Sequence, residues 1–128
     1  MKKFSSKIRE VVEHRAKELT NLCCELVRAR GENPPGNVSE VAHVIESFLK
    51  AEGINYQRFE PAKGHVSLVA TVGRGKPSLI LCGHVDVVPA GDLSQWDVHP
   101  YEGVIRGGKI LGRGTTDQKG GVAAMLMA

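Results

Sequence analysis

The feature that most constrains this chain is a continuous apolar run, Leu79-Ile80-Leu81-Cys82, that ends directly in Gly83-His84-Val85-Asp86. Four apolar residues without alternation suit a strand covered on both faces by helices, as in the parallel sheet of an α/β domain. Such sheets present ligands at the C-terminal ends of their strands. His84 and Asp86 therefore stand where chemistry is expected. If extended geometry persists they share a face, because strand side chains alternate with period two.

The rest of the pattern supplies helical cover and further strands. From Ile8 to Val27 apolar residues recur every three or four positions, the mark of an amphipathic helix, which Arg28 to Gly31 close. Asn33-Pro34-Pro35-Gly36-Asn37 is a rigid turn, since a residue before proline is pushed out of the helical region. Ser39 is placed to cap a second helix with core face Ala42, Ile45, Phe48 and Leu49, ending near Gly53. Ile54 to Phe59 and Val66 to Val72 read as strands, and Gly73 to Pro77 as a surface turn. Gly107-Gly108 between two short apolar stretches signals a hairpin, and Gly120-Gly121 opens a buried helix from Val122 onward. The expected fold is α/β, a mixed, mostly parallel sheet flanked by helices.

Composition excludes several partners. The formal charge of +3 is concentrated in residues 1–30, with eight Lys/Arg against four Asp/Glu, leaving nine against ten in the remainder. There is no basic stripe with stacking aromatics around the motifs, so nucleic acid is set aside. No run approaches the roughly 20 apolar residues needed to span a bilayer, and Met1-Lys2-Lys3 leads into Ser5, Ser6, Lys7 and Arg9 rather than an export signal's apolar stretch. Cys23, Cys24 and Cys82 make no spaced disulfide framework. A reducing cytoplasm is the expected setting, with Cys82 as packing in a buried strand.

Two stretches carry chemistry. Neutral imidazole is a good ligand for zinc-like metals, and a carboxylate two residues on can accept the ring's other N–H or act on a substrate. Against this stands the plainer reading of His84 as a residue capping a strand. The second stretch is Gly112-Arg113-Gly114-Thr115-Thr116-Asp117-Gln118-Lys119-Gly120-Gly121, a glycine-punctuated loop entering a helix with Asp117 as its only carboxylate. It lacks the Gly-Lys pair followed by Ser or Thr of a phosphate-binding loop, and Asp117 occupies the slot where a dinucleotide fingerprint needs glycine. The plain alternative is a tight turn with Asp117 capping the helix. Lys119 is in reach of a negative charge near the site, but a lysine at a helix start is expected in solvent.

Taken together, Leu81-Cys82-Gly83-His84-Val85-Asp86-Val87-Val88-Pro89, then Trp96, then Gly112 through Gly121, resemble the acetylornithine deacetylase, succinyl-diaminopimelate desuccinylase, aminoacylase and carboxypeptidase G family of metallohydrolases. The Asn33–Asn37 turn also resembles that family's N-terminal turn. The resemblance implies that His84 is the ligand of one metal, that Asp117 bridges two, and that Asp86, the catalytic-site carboxylate, clamps the His84 ring. It implies a cis bond after the bridging aspartate, Asp117-Gln118. The implied cofactors are two divalent ions, zinc first, with cobalt or manganese as alternatives. The implied substrate is a small N-acyl amino acid or short peptide, hydrolysed by water that the metal pair activates. The full-length family protein is compatible with a homodimer.

The sequence departs from the family pattern after Asp117, where eleven residues contain no Asp, Glu or His. The expectation is an N-terminal part of a catalytic domain, spanning 1–128, that lacks the general base, the remaining ligands, the lid or dimerisation domain and the C-terminal part of the catalytic domain, and that is inactive alone. The rival expectation is a non-catalytic binding or regulatory module retaining the fold. Expressed alone, the chain should expose apolar surface and a strand edge.

Overall fold

The computed structural model describes residues 2–128, so that Met1 of the opening basic run lies outside it. Helix α1 runs Lys2–Arg28 and α2 runs Ser39–Ala51. Strands β1 (Tyr56–Ala62) and β2 (His65–Ala70) form one antiparallel hairpin, β3 (Val104–Arg106) and β4 (Lys109–Leu111) another, and α3 (Gly120–Met127) follows. The only parallel pairing among the described residues is an isolated bridge between Glu32 and Val87.

The mostly parallel sheet expected from the apolar run is therefore not what forms. Leu79–Cys82 belongs to no strand, and Leu79 and Ile80 are 83% and 85% exposed. A strand needs a neighbour to take its backbone N–H and C=O groups, and both hairpins close on themselves instead. Cys82 is accordingly exposed rather than packed. The expectation of exposed apolar surface agrees with the structure, where Leu79, Ile80 and Leu81 are all exposed.

The core lies where the last turns of α1 meet α2 and α3. Leu22, Cys23 and Leu26 pack with Val41, Ile45 and Leu49 of α2 and with Val122 and Ala123 of α3. Ala42, Ile45 and Leu49 of α2 are buried as the spacing predicts, while Phe48 is half-buried and Val41 takes a core position that the pattern did not single out. Ser39 is not a cap. The residue before the helix is Val38, and the Asn37 side chain accepts the Ser39 N–H at 3.0 Å. A second, smaller cluster of Val38, Ala42 and Val66 seats the first hairpin against α2.

Lys119, expected in solvent, is 1% exposed. Its Nζ donates to the Ala29 carbonyl at 2.7 Å, just beyond the C-terminus of α1. A helix leaves its last carbonyls unpaired and carries partial negative charge there, so a cation is well matched to this position. Burial nevertheless pushes the ammonium pKa down to about 8, against the opposing pull of Cys23 and Glu40. Replacing Lys119 with Ala should lower unfolding free energy by roughly 2–4 kcal/mol, through a cavity and an unpaired carbonyl. Lys119→Met, which keeps the apolar stem, should lose about 1 kcal/mol. Urea denaturation of both variants checks this, and equal losses would show that the ammonium, not the stem, carries the contact.

Candidate metal centre

Three backbone elements converge on the segment after the apolar run. The Val87 N–H donates to the Gly31 carbonyl and the Asn33 N–H to the Val87 carbonyl, both at 2.8 Å, so residues 31–33 and 87 form a short parallel ladder at the end of α1. This ladder holds His84 and Asp86 close to the first helix without a larger sheet. Gly83 allows the approach from the other side, since a Cβ there would strike Gln118 and Met125.

The third element is the turn before α3. Gly114 takes a left-handed conformation, φ 82°, that a side chain would strain, and a Cβ at that point would also strike Val87. The chain then kinks at Asp117 and Gln118, whose backbone angles are non-helical and whose peptide bond is cis, as the resemblance implied. Asp117 does not cap α3, where Lys119 holds the cap position. Its side chain, 84% exposed, turns to His84 instead.

The sequence-derived residues His84, Asp86 and Asp117 are thus brought together. His84 Nε2 lies 2.8 Å from Asp117 Oδ1, while Nδ1 lies 3.2 Å from Asp86 Oδ1 and 3.1 Å from the Asp86 carbonyl. Both ring nitrogens face acceptors, and the ring's pKa is raised, chiefly by the hydrogen bond to Asp117. Asp86 in turn accepts from Asn33 Nδ2 at 2.9 Å, which is the main reason its carboxyl sits below the usual range. A cavity of about 300 Å³ opens beside these groups, lined also by Val88, Arg113 and Thr116.

The donor set fits a divalent cation in kind but is incomplete in number. Imidazole nitrogen and carboxylate oxygen suit zinc and its neighbours. Two tetrahedral ligands at about 2.1 Å from a metal stand roughly 3.4 Å apart, so the exposed Asp117 carboxylate would need a small swing from its contact with the ring. Among the described residues no group of three or more His, Cys, Asp and Glu side chains is placed to hold a metal.

Sequence reasoning missed the groups that support this centre. Asn33 was legible as a turn residue, but nothing in the pattern indicates where its amide points. The loop from Ala90 to Tyr101 is pinned beneath the site by Glu32, which accepts from the Tyr101 hydroxyl and, at 3.3 Å, from the Ala90 N–H. Trp96 donates to the Ala90 carbonyl at 3.0 Å, and the Arg113 guanidinium lies 5.0 Å from its ring centroid. The Arg113 N–H reaches the Pro100 carbonyl at 2.7 Å. His99 is exposed and accepts from the Tyr101 N–H at 3.3 Å.

Residues 80–128 match the family model described as Peptidase family M20/M25/M40. Over most of its length the chain is also similar to relatives named for amide hydrolysis of the same kind. It is 37% identical over 107 residues, 84% of its length and 26% of the relative's, to the "Probable succinyl-diaminopimelate desuccinylase" of Staphylococcus epidermidis. It is 38% identical over 110 residues, 84% of its length and 29% of the relative's, to the "Succinyl-diaminopimelate desuccinylase" of Xanthobacter autotrophicus. A "Probable succinyl-diaminopimelate desuccinylase" of Staphylococcus aureus is 33% identical over 111 residues, 87% of this chain and 27% of that one. The chain thus spans little more than a quarter of the length of these relatives. No helix of the described residues is long and apolar enough to cross a membrane.

The loop beneath the site carries a pH dependence. The Glu32 carboxyl is held below its ordinary range, first by the Tyr101 hydroxyl and then by the Ala90 N–H, Arg30 and Arg113. A depressed folded pKa stabilises the fold above the unfolded value, and that contribution is lost as pH falls through the folded one. In that window the unfolded chain binds the additional proton. Urea midpoints between about pH 3 and 6 should therefore fall less steeply for Glu32→Gln than for the parent chain; parallel curves would remove Glu32 from the acid response.

Proposed function

We propose that this chain supplies part of the active site of a metal-dependent enzyme that hydrolyses the amide bond of small N-acylated amino acids. In this reading residues 1–128 are the N-terminal part of the catalytic domain, His84 holds one divalent ion and Asp117 is shared between two. Zinc fits the nitrogen and oxygen donors best, with cobalt or manganese next. The observation that carries the reading is the 2.8 Å approach of His84 Nε2 and Asp117 Oδ1 from positions 33 residues apart, within a family of peptidases. The relatives' names favour an N-succinylated diamino acid as substrate.

The division of labour follows from the contacts. Two divalent ions repel one another strongly, and a carboxylate shared between them screens that repulsion. The Asp86 carbonyl and Oδ1 both face Nδ1 of His84, and a proton held there would leave the Nε2 lone pair for a cation and raise its basicity. When bound, the metal pair supplies Lewis acidity for activating water and polarising the amide carbonyl. The cavity beside Asp86 and Asp117 gives the acyl group a place against Val87, Val88 and the Gly112–Thr116 backbone. In this reading Asp86 is engaged with the ring and Asp117 with the metal pair, so neither is free to act as a general base.

A second reading, a non-catalytic module that keeps the fold for binding, is favoured by the absence of a third donor among the described residues. Calorimetric titration with zinc separates the two. The enzyme reading expects weak binding by the 128-residue chain that falls more than about tenfold in His84→Ala and in Asp117→Asn, with no hydrolysis of N-succinyl or N-acetyl amino acids. Absence of zinc binding, or binding indifferent to both substitutions, would favour the module.

A further inference from the structure

Asn33 makes two contacts of different kinds with the segment that carries the site. Its backbone N–H donates to the Val87 carbonyl at 2.8 Å, and its side-chain Nδ2 donates to Asp86 Oδ2 at 2.9 Å. The other Asp86 oxygen, Oδ1, faces His84 Nδ1 at 3.2 Å, and Nε2 of that ring meets Asp117 at 2.8 Å. Four side chains from three separated segments thus form one line of polar contacts. We propose that Asn33 is a positioning residue, the amide donor that fixes the rotation of the Asp86 carboxylate and, through it, aims Nε2 of His84 at the metal position. This rests on the reading of His84 and Asp117 as metal ligands.

The chemistry of an amide at this position is specific. A carboxylate held on one oxygen by a neutral donor keeps its full negative charge, so its other oxygen still pulls on the imidazole N–H. A Lys or Arg in the same place would orient the carboxylate but offset that charge, weakening its hold on the ring. The donor is also well fixed. Asn33 is followed by Pro34 and Pro35, which restrict the backbone, and its own N–H is tied into the ladder with Val87. Without it the Asp86 carboxylate, whose side chain is 35% exposed, can turn about its last torsion and exchange partners with water.

A role confined to shaping the turn makes different predictions. Asn and Asp both support turns by accepting backbone N–H groups, whereas Ala does not. If Asn33 only shapes the turn, Asn33→Asp should behave as the parent and Asn33→Ala should be impaired. If it is the donor to Asp86, Asn33→Asp sets two carboxylates against each other and should be the worse of the two.

The test uses the 128-residue chain. Cobalt(II) titration, followed by calorimetry and by the visible absorption of the bound ion, reads the metal position. Long-range nitrogen–proton correlation spectra of the His84 ring in metal-free protein read its orientation and tautomer independently. We expect Asn33→Ala to weaken cobalt binding about 10-fold and Asn33→Asp up to about 100-fold. Both should shift the His84 ring nitrogens, and neither should have a further effect in an Asp86→Asn background. Parent-like cobalt affinity and ring signals in Asn33→Asp overturn the proposal, as does an Asn33→Ala effect that persists in Asp86→Asn. If the parent chain binds no cobalt, or binds it equally as His84→Ala, the metal reading fails. The ring spectra still decide then whether Asn33 orients His84.

Discussion

Among the described residues, one buried charged side chain ties the segments of this structure together. Lys119 reaches from the turn that carries Asp117 to the Ala29 carbonyl, where α1 leaves its terminal acceptors unpaired. The contact joins positions 90 residues apart. It draws the kinked turn and the start of α3 onto the end of the first helix, where Leu22, Leu26, Val122 and Ala123 pack. Burial opposes the charge, as the lowered pKa of the ammonium shows, while the helix-end carbonyl and the nearby Cys23 and Glu40 favour it. An apolar residue could fill the same space but could not satisfy that carbonyl.

From this anchor the site follows by short steps. The same helix end continues into Gly31 to Asn33, whose backbone pairs with Val87. Val87 is therefore held on one side by the ladder, and Gly114 lets the Asp117 turn lie against its side chain on the other. His84 and Asp117 meet because both segments are tied to one helix terminus. The loop pinned by Glu32, Tyr101 and Trp96 closes the same corner from below. Two donors, an open cavity and a surrounding set of oriented polar groups result.

The apolar run shows how far local pattern reaches. Leu79 to Cys82 has the composition of a buried strand, yet it is exposed and unpaired. Composition sets only what would be favourable for the segment. Whether it happens depends on a neighbouring strand, and the hairpins of this chain satisfy one another. Exposed Leu79, Ile80 and Leu81 therefore form an aggregation-prone stretch in the chain as it stands.

Helix and hairpin periodicity, and the His84, Asp86 and Asp117 set, were legible from the sequence because they depend on neighbours within a few residues or on a motif. Ala42, Ile45 and Leu49 on the core face of α2, and the β3–β4 hairpin, followed directly from spacing. Sheet order, the burial of Lys119, the direction of the Asn33 amide and the Glu32–Tyr101 contact were not legible. Each depends on where a distant part of the chain stands, and a side chain's residue type does not say which acceptor or carboxylate will lie beside it. The sequence alone determined that an imidazole and two carboxylates stand in these two motifs. Only tertiary packing, through the helix end that captures Lys119 and pairs with Val87, decided that they face one another.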